Sequence, residues 1–271
     1  MHTRSSAIQA RLCLVIALTT IAAGCATSPQ QASSAEEPKV ASGLASAAGN
    51  SIAYGGTNVV AIGIGSASKL DKSDKDKKAG YTFRFYYCDG RADMNPPAET
   101  IKAYTAAGNW VCLFYEGGGY PPGTRRSERS GQQCRARALT GGYAGGQTDA
   151  AIAYPQAASL GMPLGRPIFF TVDTDPGRIG SARMKKIIEY LKGAADWAHA
   201  HGYKVGCYGG SYLLKTLFDQ KVIDFGEETT AWCHHFHETR SQIRQEGPGP
   251  YAAYAEDYGQ WRWQEAPRPQ K

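Results

Sequence analysis

Two carboxylates spaced two residues apart, Asp173 and Asp175, close the segment Arg166-Pro167-Ile168-Phe169-Phe170-Thr171-Val172-Asp173-Thr174-Asp175-Pro176. The apolar and β-branched run from Ile168 to Val172 lies between two prolines and reads as a strand buried on both faces. Side chains alternate along a strand, so both acids leave its end on one side. Carboxyl groups that share a cavity split their pKa values, one keeping its proton while the other stays ionised. That is the equipment of acid/base hydrolysis. A plainer account has one Asp capping the next helix and the other turning the chain. Glu116 ends a second apolar run, Trp110 to Glu116, in the same way. Arg84 and Tyr86 share one face of a third run, Tyr81 to Cys88.

A rival constellation is Cys233-His234-His235-Phe236-His237-Glu238, where His235, His237 and Cys233 fall in phase on an extended chain. Imidazole and thiolate suit zinc, but a site needs further ligands at proper spacing, and the sequence offers none. These histidines read as solvated groups at an element end. No metal and no other cofactor is expected.

The elements that would position the acids alternate. Strands are expected at 59–64, 81–88, 110–116, 168–172 and 203–208, with a sixth at 229–233. A helix opens at Ser68, and its Lys/Asp run to Lys78, ended by Gly80, reads as a solvated face without a site. Asn95-Pro96 starts a helix that runs from Pro97 to Ala107 and stops at Gly108. Another spans Gln147 to Leu160, with a kink expected at Pro155. Ile187, Leu191, Ala194, Ala195 and Ala198 repeat at helical spacing in the helix from Ala182 to His201. Ser211 caps a short helix carrying Leu213, Leu214 and Leu217. Beyond His237 the pattern fades.

Short strands alternating with helices argue a parallel sheet with helical crossovers. Acids at the carboxyl ends of strands three and four match the face where α/β barrels build their sites. A TIM-like (β/α) barrel is therefore expected, incomplete or irregular at its C-terminal end. An open doubly wound sheet is disfavoured, because no Gly-x-Gly-x-x-Gly follows the first strand and no Walker loop occurs. The long segment 117–146 holds Arg125, Arg126, Arg129, Arg135 and Arg137. It either grips an anionic polymer or is simply solvated.

In the 271-residue chain the first 24 residues read as a targeting signal: Arg4 and Arg11 precede the start of an apolar run from Leu12 to Ala23. That run is too short to span a bilayer and fits a signal peptide over residues 1–24. Ile21-Ala22-Ala23-Gly24-Cys25 resembles a bacterial lipobox with Ala22 where Leu is usual, so Cys25 is expected to carry lipid. The alternative is ordinary cleavage and release. Arg4 is followed by Ser5, so no twin-arginine pattern is present. Residues 25–50 read as lipidated Cys and flexible linker, and 51–271 as the barrel domain. Loss of the leader removes two arginines and no acid, taking the formal charge from +6 to +4. That mild balance suits an anionic envelope surface and gives no case for nucleic acid. Cys88, Cys112 and Cys207 lie in apolar runs and behave as small hydrophobes. No CxxC spacing occurs among these or Cys134 and Cys233.

Several segments, in order, resemble a known family: Lys78 to Tyr86, Phe114-Tyr115-Glu116, Ser159 to Pro163, Pro167 to Asp175 and Tyr203 to Gly210. Together they look like the bacterial glycoside-hydrolase-like family once described as a domain of unknown function. Its relatives are the lysozymes of glycoside hydrolase family 25. The resemblance covers roughly residues 55 to 235. It implies a TIM-like barrel in exported, envelope-associated proteins, with Arg84, Glu116, Asp173, Asp175 and Tyr208 on pocket positions. In those lysozymes an Asp-x-Glu ends the fourth strand and the Glu is the general acid; here Asp175 stands in its place. One methylene less draws the proton back by about 1.5 Å. A displacement of that order costs on the order of 100-fold in rate. The first strand offers Ile64-Gly65-Ser66 where the lysozymes carry an acid.

In this reading Asp175 or Glu116 is the proton donor and Asp173 the anion. Arg84 either holds a carboxylate ionised or forms a buried structural pair with Glu116. Tyr208 would bind substrate by donating to a hydroxyl or acetamido group, and Arg84 and Tyr86 are expected among the substrate-binding residues. Trp232 either packs on a sugar face or belongs to the core or rim. The expected protein is a monomeric, envelope-anchored glycoside hydrolase of peptidoglycan or a related cell-wall polysaccharide. The alternatives are a non-catalytic glycan-binding lipoprotein with a degenerate cleft and, third, a zinc hydrolase built on His235 and His237.

Overall fold

Eight strands order themselves by chain position into a closed barrel, β1-β2-β3-β4-β5-β6-β7-β8. In this computed structural model they are β1 (Ala61–Gly65), β2 (Phe83–Tyr87), β3 (Trp110–Tyr115), β4 (Pro167–Thr171), β5 (Lys204–Gly209), β6 (Phe225–Thr229), β7 (Ile243–Gln245) and β8 (Tyr251–Ala253). The structure describes residues 59–65, 72–88, 95–116, 138–172, 180–232, 236–245 and 250–262. Each neighbouring pair from β1 to β7 is parallel. β8 alone runs against both neighbours and closes the sheet between β7 and β1. The TIM-like barrel is confirmed, and its irregularity falls at the C-terminal end as expected.

Parity divides the side chains. Phe83, Phe85, Cys112, Phe114, Phe169, Phe225, Ile243, Tyr251 and Ala253 fill the interior, with Tyr258 below. Phe85 stacks on Phe114 with ring centroids 3.9 Å apart and meets Phe169 edge-on at 5.4 Å. The opposite parity packs outward against helices α1 (Ser73–Lys78), α2 (Ala98–Ala106), α3 (Gly142–Ser159), α4 (Ala182–Ala200) and α5 (Ser211–Asp219). Cys88, Cys112 and Cys207 are buried free thiols, in keeping with their reading as small hydrophobes.

α4 is the most legible helix: Ser181 caps it, its Oγ accepting from the Met184 amide at 3.1 Å. α3 begins five residues earlier than the sequence suggests, through a glycine-rich turn of poor helix propensity. Packing supplies the reason. A Cβ on Gly146 would lie 1.8 Å from the Tyr190 carbonyl oxygen, and one on Gly193 would lie 2.0 Å from that of Tyr143. Only glycine lets α3 and α4 approach this closely. Asp149, fully buried on α3, ties the layers by accepting from the hydroxyls of Tyr115 at 3.0 Å and Tyr190 at 2.7 Å.

Two expectations need correction. The sixth strand lies four residues earlier than 229–233, because Phe225-Gly226-Glu227-Glu228-Thr229 hides its buried character behind two acids. α1 is not merely a solvated face. Asp76 is 2% exposed and takes the Arg84 Nε at 2.7 Å and the Tyr104 hydroxyl at 2.8 Å, with Arg84 Nη2 on its other oxygen. Burial works against the Arg84 charge, and the Asp76 carboxylate more than restores it.

Removing one member of such a pair strands the other in the core, at a cost of about 3–5 kcal/mol. Asp76→Ala is expected to lower unfolding stability by that amount in a urea titration, whereas Asp74→Ala, on the exposed side of α1, changes it by less than about 0.5 kcal/mol.

Candidate functional site

Inward parity carried to the carboxyl ends of the strands brings a small set of side chains to one mouth. Tyr87 follows Phe83 and Phe85 on β2, Glu116 follows Cys112 and Phe114 past the end of β3, and Thr171 follows Phe169 on β4. Tyr208 of β5, Gln245 of β7 and Tyr251 of β8 complete the ring. These residues, with Phe114, line a cavity of about 170 Å³. Against the roughly 300–1,000 Å³ of pockets for drug-sized ligands it is a small well. Phe114 is its apolar floor, 6.0 Å from the Tyr87 ring, 6.2 Å from Tyr208 and 6.1 Å from Tyr251, centroid to centroid.

A polar chain crosses one wall. The Tyr208 hydroxyl donates to Gln245 Oε1 at 2.8 Å, and Gln245 Nε2 donates to the Tyr251 hydroxyl at 3.4 Å. Gly65 makes room for this phenol, since a Cβ there would come within 2.7 Å of its oxygen. Burial, then Glu227, then the neighbouring phenols and Glu116 push the Tyr251 phenol well above its ordinary range, so it stays a hydrogen-bond donor. Glu116 is the one carboxyl among the described lining residues.

Of the residues singled out from sequence, the structure brings Glu116 and Tyr208 to the mouth. Arg84 and Tyr86 are not there. Both have outward parity on β2, and Arg84 is in a buried ion pair with Asp76, not Glu116. The error was one of parity. In Tyr81-Thr82-Phe83-Arg84-Phe85-Tyr86-Tyr87-Cys88 the charged residue drew attention, while Phe83 and Phe85 already marked the inner face that makes Tyr87 the pocket residue. Asp173, Asp175, Cys25, Cys233 and His235 lie outside the described residues. Trp232 ends a 3-10 turn, Thr230–Trp232, and its side chain is likewise outside them. His237 lies with its Nδ1 3.4 Å from Glu228 Oε1, on the outer side of β6, where Glu228 also holds Arg244 at 3.3 Å.

Sequence reasoning missed Tyr87, Thr171, Gln245 and Tyr251. The first two were readable from alternation; the last two sit on three-residue strands too short to show a period.

A family model described as Rv2525c-like, glycoside hydrolase-like domain matches residues 75–268. Among solved structures, the Tat-secreted protein Rv2525c of Mycobacterium tuberculosis in complex with HEPES superposes with a TM-score of 0.58 at 15% identity, covering 74% of this chain and 98% of that one. The same protein in complex with L-tartrate gives 0.57 over the same shares. A protein of B. stearothermophilus gives 0.47 at 13% identity over 72% and 96%. No curated protein matches the chain.

Tyr208→Phe removes one hydrogen bond from the wall and is expected to cost about 1 kcal/mol in chemical denaturation. Arg84, although charged and close in sequence, has no route to a ligand in the mouth.

Proposed function

The chain belongs to the Rv2525c-like, glycoside hydrolase-like family, and on that premise we propose that it acts at the cell envelope on peptidoglycan or a related polysaccharide by carboxylate acid/base chemistry. The observation that carries this reading is the mouth itself: an aromatic floor, hydroxyl and amide donors, and Glu116 at the rim. Phenyl and phenol faces pack on the C–H surface of a sugar ring, and the tyrosines and Gln245 match its hydroxyl or acetamido groups.

Cleavage needs one protonated and one ionised carboxyl. As the glycosidic C–O bond breaks, the first passes its proton to the leaving oxygen. The second either stabilises the sugar cation or takes a proton from the water that adds to the anomeric carbon. Glu116 supplies one group, and Asp173 with Asp175 follow β4 directly in the chain. Asp173 is proposed as the anion, with Glu116 or Asp175 as the acid. Export is supported by the leader over residues 1–24, just before Cys25, and Rv2525c is itself described as Tat-secreted. Here Arg4-Ser5 replaces a twin arginine, so the proposed route is lipoprotein processing with Cys25 as the lipid anchor.

The second reading, a glycan-binding lipoprotein without turnover, is favoured by the small volume of the well and by Asp175 standing where a longer acid is expected. Purified cell walls distinguish the two. The wild type is expected to release reducing ends, and Glu116→Gln and Asp173→Asn to lower that release by about 100-fold or more. Walls that co-sediment with every variant while none releases reducing ends would establish the binder. Cys25→Ser is expected to move the protein from the membrane to the soluble fraction; unchanged membrane association would refute the anchor.

A further inference from the structure

Glu227 is the one acid on the inner face of the described barrel strands. It shares parity with Phe225, pairs in register with Tyr208 on one side and Ile243 on the other, and is 0% exposed. Among the described residues neither carboxyl oxygen has a hydrogen-bond partner. Its outward neighbour Glu228, equally buried, is held by Arg244. A bare carboxylate in such a place would be very costly, and the usual remedy is to keep the proton. A hydrophobe or Gln would fill the position at lower cost, and residues that break the rules of a core cluster at functional sites.

The groups facing it are few. β2 offers Tyr87, β3 Cys112 and Glu116, β5 Tyr208 and β8 Tyr251. β1, β4 and β7 present no titratable group to it, their inward residues being Ala61, glycine, Pro167, Phe169, Thr171, Ile243 and Gln245. Arg166 and Asp257, paired at 3.1 Å, are felt at Cys112, and Lys204, which shares the parity of Tyr208 at the opposite end of β5, is half-exposed and paired with Asp224 at 3.1 Å. Burial alone pushes the Glu227 carboxyl well above the usual carboxylate range.

We propose that Glu227 is a positioning residue of the mouth that works in its uncharged form, keeping the chain Tyr208 to Gln245 to Tyr251 pointed so that the Tyr251 hydroxyl hydrogen serves a ligand. Among the described residues no acceptor takes that hydrogen. An ionised Glu227 would be the strongest acceptor beside these phenols and would draw their hydrogens into the barrel. The uncharged acid keeps one carbonyl acceptor, much weaker than a carboxylate, and so pulls far less on these hydrogens. The ligand atom it prepares for is a neutral acceptor, a sugar hydroxyl or acetamido oxygen, so the assignment rests on the glycan reading of the mouth.

The sign of the pH effect follows from linkage. The unfolded chain releases this proton near pH 4.3 and the folded chain holds it to higher pH. The stabilising contribution is therefore complete below about pH 4.3 and declines as pH rises through the folded value. Compared with Glu227→Gln, the wild type should match it in melting temperature at pH 4 and fall below it at pH 8.

Carbon-13 NMR of the full barrel, labelled at Glu carboxyl and Tyr ring carbons, tests the proposal without any ligand. The Glu227 signal is expected to stay protonated at pH 7, and the Tyr208 and Tyr251 ring carbons to shift with its midpoint in the wild type and not in E227Q. A Glu227 carboxyl that titrates in the ordinary range, or phenol signals that ignore it, overturns the proposal. The wild-type titration decides this even if E227Q does not fold. With an N-acetylglucosamine tetramer as probe, binding by the wild type should fall as pH passes the same midpoint. Absence of binding at every pH refutes the glycan reading, while the ligand-free titration still decides the charge state of Glu227.

Discussion

Closure of the sheet is the constraint from which the rest follows. Seven parallel strands leave two edges, and the antiparallel β8, three residues long, joins them by pairing with both β7 and β1. Until that strand is in place the inner parity faces solvent and Tyr251 has no ring to complete. Once it is, every second side chain enters a space walled by backbone, which is filled by phenyl rings at the base and by phenols at the mouth. The site is thus a product of the barrel's geometry more than of any one segment.

Outside the barrel, the helical layer is held by contacts that reverse ordinary preferences. Glycines inside α3 and α4 weaken each helix taken alone, yet they permit backbone to lie against backbone at Gly146 and Gly193. Charged groups are buried where they meet a partner: Arg84 on Asp76, Asp149 under two tyrosine hydroxyls, Glu228 beside Arg244. These pairs fix which face of each strand turns outward. In doing so they settle which residues are left to the mouth. Glu227 departs from this pattern. It sits on the inner face with no cation on it among the described residues, in direct register with Tyr208, and its position makes sense as part of the mouth's hydrogen-bonding order.

By itself the sequence determined the alternation of strands and helices, the barrel, the extent of α4 and the acid that ends β3. Each depends on local periodicity or on a cap, and the residues concerned are neighbours in the chain. The resemblance to the glycoside-hydrolase-like family was equally legible in Pro167 to Asp175 and Tyr203 to Gly210. Only the tertiary structure decided the rest. Arg84 turned outward because Asp76, eight residues earlier, was waiting on α1. β6 and its buried glutamate were hidden because two adjacent acids look solvated until Arg244 claims one of them. Gln245 and Tyr251 became wall residues through pairing between strands of three residues, a length at which no periodicity exists to be read. Side-chain parity is a two-way choice that a short strand cannot make alone, and here its neighbours in space made it.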